Sequence, residues 1–197
     1  LQQYVSLVKE KMKKIKIILG DITYPKSEAI IIPANAAGVM NGEVQSRVVR
    51  EGWEKIAKEA KKETKRKKYN LGDTFVTDSG RLKRRGVKKI YHSVIRNLPG
   101  DLISTNIIKK ALQSALRNVI LDKNKSVSIC GIGLDCDGAN SYIVADITVR
   151  CCFRYKDRID IKIIDDNKEF IGNINKVLEE NNWKEYGSFK QISLDSK

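Results

Sequence analysis

Short, uninterrupted apolar runs that alternate with amphipathic stretches constrain the fold of this chain more than any other feature. A β-strand that is covered on both faces needs no polar face, so continuous runs of branched apolar residues indicate buried strands. Six strands are predicted from such runs and from turn signals, over residues 15–19, 28–33, 73–77, 88–95, 126–130 and 159–164. Helical patterns separate most of them, over residues 43–65 (with Gly52 as a candidate break), 105–121, 140–153 and 170–181. The alternation predicts an α/β fold of three layers, α/β/α, around a mixed, largely parallel sheet.

The length of 197 residues suits one domain with additional chain at either end. The predicted boundaries are an N-terminal helix or linker over residues 1–14, a domain over residues 15–181 and a polar C-terminal tail over residues 182–197. The apolar runs are too short to cross a bilayer, and the charged N-terminal stretch has no secretory pattern. We therefore expect no membrane contact and a reducing compartment, either cytoplasmic or nuclear.

The formal net charge of +14 indicates attraction to polyanions such as nucleic acid. Basic residues concentrate in two clusters within residues 61–68 and 81–89. The first comprises Lys61, Lys62, Lys65, Arg66, Lys67 and Lys68, and the second comprises Arg81, Lys83, Arg84, Arg85, Lys88 and Lys89. Apart from Tyr69, no aromatic residue interleaves them, as a stacking platform would require. A polyanion-binding patch and an ordinary solvated, Lys-rich surface are both open at this point.

The four cysteines and the single histidine argue against a metal site. The cysteines, at positions 130, 136, 151 and 152, form no CxxC pair, and His92 alone cannot complete a Cys/His zinc set. We therefore predict no metal and no cofactor. Buried free thiols are expected, and His92, which lies in an apolar strand, is expected to be a buried strand residue and not a catalytic base.

Two glycine-containing loops lead from strands into helices, over residues 34–44 and 131–139. A run of small residues before a helix N-terminus lets backbone N–H groups approach a phosphate. Neither loop has the Gly-Lys-Ser/Thr of a Walker A loop, and neither is a full GxGxxG after the first strand. On spacing alone, an ordinary strand-to-helix connection explains each loop equally well.

The ordered set of segments is more specific than either loop. From residue 15 onward the sequence reads IKIILGDIT, EAIIIPANAAGVMNGEV, LGDTFVTDSGRL, KKIYHSV and SICGIG. In order and spacing, these segments resemble the macrodomain family over residues 15–181. The resemblance implies a macrodomain fold and a site for ADP-ribose, as the free compound, a derivative or a group attached to a protein.

The resemblance also implies a role for each matched position. Asp21, which follows Gly20, would accept the adenine amino group with help from the Ile22 amide. Asn35 would bind the distal ribose, and Ile164 would lie beside adenine as an aliphatic contact. The positions beside the ribose and the diphosphate are Gly42, Glu43, Val44, Gly131, Ile132, Gly133, Leu134 and Asp135. From the residues alone, Asp21 as a strand-end turn and Asn35 as an ordinary loop residue stay open.

Three carboxylates, those of Glu43, Asp135 and Asp137, fall where the resemblance places a diphosphate. Like charges a few Å apart in a partly buried site cost on the order of 1–4 kcal/mol each. Either these side chains point away, or a cation, Lys or Arg compensates them, or the ligand binds weakly. In addition, Gln45 stands where hydrolase-type members of the family often carry an Asp.

The segment GIGLD at 131–135 also resembles the branch of the family that removes ADP-ribose from acidic side chains. That resemblance implies Asp135 as a catalytic acid or base. Arg96 lies near the position of the branch's Lys, but a guanidinium cannot attack as an amine. Three functions stay open: an ADP-ribose-binding module, an ADP-ribosyl hydrolase that uses Asp135, and a nucleic-acid or poly-ADP-ribose binder that acts through the basic clusters with a vestigial pocket.

Overall fold

The computed structural model describes residues 15–24, 26–99, 101–135 and 140–191. Within them lie the strands β1 Ile15–Leu19, β2 Ala29–Asn35, β3 Thr74–Asp78, β4 Lys89–Arg96, β5 Ser126–Ile129, β6 Asp160–Asp165 and β7 Gly187–Gln191. The α-helices are α1 Glu43–Gly52, α2 Lys55–Arg66, α3 Thr105–Leu121, α4 Ser141–Phe153 and α5 Lys168–Glu180. Two short 3-10 helices cover Gly80–Arg85 and Lys184–Tyr186.

The strands form one seven-stranded sheet in the order β3-β4-β2-β5-β6-β1-β7. Strands β3 and β4 pair antiparallel, and every other neighbouring pair is parallel. Helices α1 and α2 pack together, as do α3, α4 and α5, and both groups lie against the sheet. The α/β fold with a mixed, largely parallel sheet is therefore confirmed.

Burial on both faces explains why the central strands have continuous apolar sequences. All seven residues of β2 are buried, and the apolar residues of β5 and β6 are fully or almost fully buried. Each isoleucine removed from water in this way contributes roughly 1.5–3 kcal/mol of transfer free energy. The carboxyl ends of β1, β2, β5 and β6 consequently lie along one rigid edge of the sheet.

The C-terminal boundary differs from the predicted one. Residues 187–191, assigned above to a polar tail, form β7 and pair in parallel with β1, from Ile15 opposite Gly187 to Leu19 opposite Gln191. The sequence GSFKQ carries no apolar run, but an edge strand is held by backbone hydrogen bonds and does not need one. The domain therefore extends at least to residue 191.

The predicted helix over residues 43–65 is broken after Gly52 into α1 and α2. The predicted N-terminal helix or linker over residues 1–14 lies outside the described residues. No helix in the described part of the chain combines the length and the apolar character needed to span a membrane.

His92 is a buried strand residue, as its sequence context predicts. It is fully buried on β4, its ring stacks on Phe75 at a centroid distance of 4.4 Å, and its Nε2 lies 2.9 Å from the Thr77 hydroxyl. Its Nδ1 has no hydrogen-bond partner among the described residues. Burial lowers the pKa of His92 to about 3, so the folded protein keeps this imidazole neutral at physiological pH.

This burial predicts a specific loss of stability in mild acid. Because the pKa of His92 is about 3 when folded and about 6.5 when unfolded, the unfolded chain binds the extra proton, and stability falls as the pH drops below about 6.5. We expect the free energy of unfolding to fall by about 2 kcal/mol between pH 7.5 and pH 5, measured by urea denaturation. His92→Gln should abolish this dependence. An unchanged slope in the variant would contradict the assignment.

Candidate functional site

The loops that follow β1, β2, β5 and β6 converge at the carboxyl edge of the sheet, where open parallel sheets bind their ligands. Two contacts hold the ends of these strands together. The Gly20 N–H donates to the Asp165 carbonyl at 2.9 Å, and the Gly131 N–H donates to the Asp165 carboxylate at 2.9 Å. The ends of β1, β5 and β6 are therefore fixed relative to one another.

An open cavity of about 110 Å³ lies at this edge. Its lining residues come from the end of β2, the start of α1 and the loops after β5 and β6: Pro33, Glu43, Val44, Gly131, Leu134, Asp135, Asp165, Asp166 and Asn167. This volume is smaller than that of a typical small-molecule pocket, and a ligand of nucleotide size would extend beyond it along the sheet edge. Its walls combine a few apolar side chains with many carboxylates.

Two helices begin at the cavity wall. Helix α1 starts at Glu43 after Gly42, and no side chain caps it, so the first-turn N–H groups are left to another acceptor. Helix α5 starts after Asn167, whose side chain accepts from the Phe170 N–H. An uncapped helix N-terminus presents N–H donors and positive potential to an anion. The start of α1 thus presents N–H donors without a side-chain acceptor at this wall of the cavity.

Arg47 compensates the carboxylates on one side of the cavity. Its guanidinium lies 2.7 Å from the Asp166 carboxylate, 3.0 Å from that of Glu43 and 3.7 Å from that of Asp21. Only 13% of the Arg47 side chain is exposed. Burial alone would lower the pKa of Arg47, but its hydrogen bond to Asp166 and the surrounding carboxylates raise it overall.

Arg96 compensates another carboxylate of the cavity lining, that of Asp135. Arg96 ends β4 and forms an ion pair with Asp135 at 3.2 Å. Asp135 lines the cavity, and its Oδ2 would be only 3.2 Å from a Cβ placed on Gly42. Of the three alternatives that the sequence left for the carboxylates, the structure shows compensation by arginine for Glu43 and Asp135. Asp137 lies outside the described residues.

The loop after β5 follows a path that requires glycine. A Cβ on Gly131 would lie 2.1 Å from the Leu134 side chain, and Gly133 has a φ of +100°, which favours glycine. Asp165 fixes this loop with its Oδ2, and its Oδ1 accepts from the Asn167 N–H at 2.9 Å. Burial raises the pKa of Asp165, while the two backbone donors oppose the rise. Gly131, Leu134 and Asp135 of this loop form the second wall of the cavity, whereas Ile132 is fully buried and Gly133 lies against Ile108.

Asp21 holds the turn that follows β1. Its Oδ1 accepts from both the N–H and the hydroxyl of Thr23 at 2.8 Å, and the other oxygen faces Arg47. Asp21 therefore does stabilise the turn at the end of β1, the alternative role that the sequence left open. Gly20 and Ile22 are buried on either side of Asp21.

Two residues expected to contact the ligand, Asn35 and Ile164, make structural contacts within the protein. The Asn35 side chain donates to the Val39 carbonyl and accepts from the Val39 N–H, at 2.8 and 3.0 Å, so both ends of its amide close the loop after β2. Ile164 is fully buried in the apolar core, because β6 continues for one more residue and Asp165 reaches the cavity first. Asn35 shapes the loop and keeps one N–H and one lone pair, so its contact with a ribose stays a prediction. Ile164 supports the sheet.

Gln45 adds an unusual feature behind the cavity wall. Its side chain is buried, its Nε2 donates to the Pro33 carbonyl at 3.0 Å, and its Oε1 has no partner among the described residues. That oxygen would lie 2.2 Å from a Cβ on Gly42, which keeps position 42 free of a side chain.

Four residues that line the cavity were not predicted from the sequence: Pro33, Asp165, Asp166 and Asn167. The role of Arg47, which binds the carboxylates of Glu43 and Asp166, was not predicted either. Arg47 lies one helical turn after Glu43, and residues 165–167 follow a strand whose end shares an edge with Asp21. Both positions could have been recognised from the sequence as neighbours of the predicted site. His92 and the described cysteines Cys130, Cys151 and Cys152 do not line the cavity, and the described residues contain no group that could hold a metal ion.

Sequence comparisons give the family. A profile described as "Macro domain" matches residues 31–148, more than half of the chain. An uncharacterized protein of Aquifex aeolicus is 29% identical over 166 residues, which cover 83% of this chain and 97% of that protein. An uncharacterized protein of Thermotoga maritima is 32% identical over 123 residues, which cover 62% of this chain and 20% of that protein.

Comparisons of structure agree on the fold. An Oceanobacillus iheyensis macrodomain variant solved with ADPR matches with a TM-score of 0.72 and 19% identity, over 84% of this chain and 92% of that one. The macrodomain of Mycobacterium tuberculosis DarG matches with a TM-score of 0.66 and 22% identity, over 75% and 96%. At these identities the likeness establishes the fold.

The compensation by Arg47 can be tested through stability. Arg47→Met leaves three carboxylates without their shared cation, so we expect a loss of about 1–2 kcal/mol in the free energy of unfolding, limited by the partial exposure of Glu43 and Asp166. Arg50→Met is the matched control, because Arg50 is 68% exposed, and its effect should stay within about 0.5 kcal/mol. Equal effects of the two substitutions in urea denaturation would refute this role.

Proposed function

Because the chain belongs to the macro domain family, we propose that its cavity binds ADP-ribose, free or attached to a protein. The observation that carries the proposal is the pairing of two phosphate-compatible walls. The uncapped start of α1 and the glycine-dependent turn from Gly131 to Asp135 both contribute residues to the lining of one open cavity. A diphosphate bound in this cavity would accept hydrogen bonds from backbone N–H groups of both walls.

Arg47 makes such a site compatible with its own carboxylates. A diphosphate near Glu43 and Asp166 would meet strong repulsion without a shared cation. With Arg47 bound to both, the local charge on that wall is largely balanced, and the helix terminus supplies the net attraction. In this proposal Arg47 is a positioning residue that keeps the acidic side chains turned away from the ligand.

At the adenine end, we retain Asp21 as the acceptor of the exocyclic amino group. One of its oxygens is committed to Thr23, and the other has no hydrogen bond among the described residues beyond its ion pair with Arg47. That second oxygen can accept from an amino N–H. With Ile164 buried, adenine would have no aliphatic contact from that position.

Binding is tested by isothermal titration with ADP-ribose. Val44→Asp places a carboxylate at the anion-binding wall and should weaken binding at least tenfold. Ser46→Asp adds the same charge to an exposed position of the same helix, off the cavity, and should leave the affinity within about twofold. The inosine analogue of ADP-ribose, which lacks the amino group, should bind more weakly if Asp21 reads adenine. No heat at millimolar ADP-ribose from folded protein would end the proposal.

Hydrolysis of ADP-ribosyl groups is the second candidate function. The observation in its favour is that Asp135 lines the cavity and is held there by Arg96 from β4. In that function the Asp135 carboxylate would act as acid or base on an ester between the distal ribose and a protein carboxylate. Gln45, an amide bound to the Pro33 carbonyl, offers no carboxylate at the alternative position.

An assay of ester hydrolysis on a mono-ADP-ribosylated Glu or Asp peptide separates the two functions. If Asp135 is catalytic, Asp135→Ala loses turnover by at least a hundredfold and keeps ADP-ribose affinity within a few-fold. Asp101→Ala, an exposed Asp in the loop after β4, serves as the control and should retain full turnover. If the wild-type protein binds ADP-ribose but shows no turnover, the hydrolase function is excluded and only the binding function remains.

A further inference from the structure

A second surface, away from the cavity wall, combines exposed aromatic rings with arginines. It consists of Tyr24, Arg50, Trp53, Arg81, Arg84 and Arg85, and we refer to it as the basic–aromatic surface. The second basic cluster of the sequence supplies three of these residues. The sequence pattern showed no aromatic residue within that cluster, because Tyr24 and Trp53 reach it from elsewhere in the chain.

Trp53 is the most unusual residue of this surface. It lies between α1 and α2 with φ 85° and ψ 154°, a backbone region that essentially only glycine occupies without strain. The Trp53 N–H donates to the Val49 carbonyl, and its own carbonyl accepts from the Ile56 N–H, so the conformation is fixed at both ends. Yet the side chain is 56% exposed. A large aromatic side chain held outward at a strained position gains little from burial, which points to a role in recognition.

Each exposed ring of this surface carries an arginine. The Arg81 guanidinium lies 4.6 Å from the Trp53 ring centroid, and that of Arg85 lies 4.5 Å from the Tyr24 ring centroid. Tyr24 is 48% exposed. Paired rings and guanidinium planes are flat, positively charged platforms of the kind on which unpaired bases stack.

Close backbone packing places Arg81 beside Trp53. A Cβ on Gly80 would lie 2.0 Å from the Gly52 carbonyl oxygen, so the 3-10 helix Gly80–Arg85 meets the junction of α1 and α2 backbone to backbone. Gly80 also has a φ of +55°. The two glycines thus set the distance between the ring and the guanidinium.

The positive charge of this surface is only partly neutralised by neighbouring carboxylates. Glu51 binds Arg85 at 2.8 Å and Arg50 at 3.4 Å. Arg81 and Arg84 form no ion pair with any residue that the structure describes. Two cations, one of them stacked on Trp53, are therefore directed to solvent and available to phosphates.

We propose that the basic–aromatic surface binds single-stranded nucleic acid, with a base stacked on Trp53 and backbone phosphates paired with Arg81 and Arg84. A single strand is favoured over a duplex because an exposed ring needs an unpaired base to stack on. The site is separate from the ADP-ribose cavity and does not depend on the function proposed for it.

Trp53 provides its own probe for this site. The chain has two tryptophans, and the other, Trp183, stacks on Phe153 at 4.2 Å. In the Trp183→Phe protein, a 20-nucleotide oligo(U) or oligo(dT) should quench the remaining fluorescence on binding. Quenching by neither oligonucleotide, at low salt and with folded protein, would overturn the proposal.

Trp53→Gly separates binding from folding. Glycine adopts φ 85° without strain, so the thermal midpoint of unfolding should stay unchanged or rise. The affinity for the labelled oligonucleotide should fall at least fivefold, because the stacking on Trp53 is lost. Unchanged affinity in a folded Trp53→Gly protein would contradict the proposal.

The charges are tested by salt dependence. Removing both Arg81 and Arg84 as serines should lower the slope of log Kd against log salt by about 1.4, twice the single-strand value per phosphate contact. Lys61→Ser with Lys62→Ser removes the same charge from α2 and should change the slope much less. Equal slopes in the two double variants would mean diffuse attraction and overturn the site.

Ligand competition distinguishes this site from the cavity. Saturating ADP-ribose and the Val44→Asp substitution should both leave oligonucleotide affinity unchanged. Competition by ADP-ribose would place the strand in the cavity and contradict a separate surface. Binding of poly-ADP-ribose or anionic phosphatidylserine vesicles without binding of either oligonucleotide would likewise overturn the proposal.

Discussion

The ion-pair cluster around Arg47 is the constraint on which the candidate site depends. Carboxylates from the turn after β1, the start of α1 and the loop after β6 all approach one largely buried guanidinium. Without a cation there, three like charges would repel one another and any anion that entered the cavity. With it, Arg47 joins three separate segments and leaves the N–H groups at the start of α1 free to attract a phosphate.

The second constraint is the sheet edge itself. Parallel strands end at the same edge, so residues far apart in sequence are brought together without long loops. Asp165 uses this arrangement most fully, since its carboxylate binds backbone donors from two loops while its carbonyl accepts from the end of β1. A buried carboxylate is retained here because it fixes the turn from Gly131 to Asp135 that forms one cavity wall.

The parts of this structure that sequence could predict are those with local signatures. Burial on both faces of a strand produces an uninterrupted apolar run, and small residues before a helix mark the loops whose residues line the cavity. The compensation by Arg47 left no local signature beyond its spacing from Glu43, because two of its partners belong to distant loops. Strand β7 could not be predicted because it is held by backbone pairing and has no apolar run. Strand β6 is one residue longer at its end than predicted, so Asp165 and not Ile164 contacts the cavity. The exposed rings near the basic cluster could not be predicted from the sequence either, because only three-dimensional packing brings Trp53 to Arg81.

A crystal structure of the protein with ADP-ribose tests the central claim most directly. The account predicts diphosphate oxygens within hydrogen-bond distance of backbone N–H groups at Val44 and in the turn from Gly131 to Asp135, with Arg47 still bound to Asp166. It is contradicted if ADP-ribose is found outside this cavity, or if Arg47 leaves its carboxylates and they lie against the bound diphosphate.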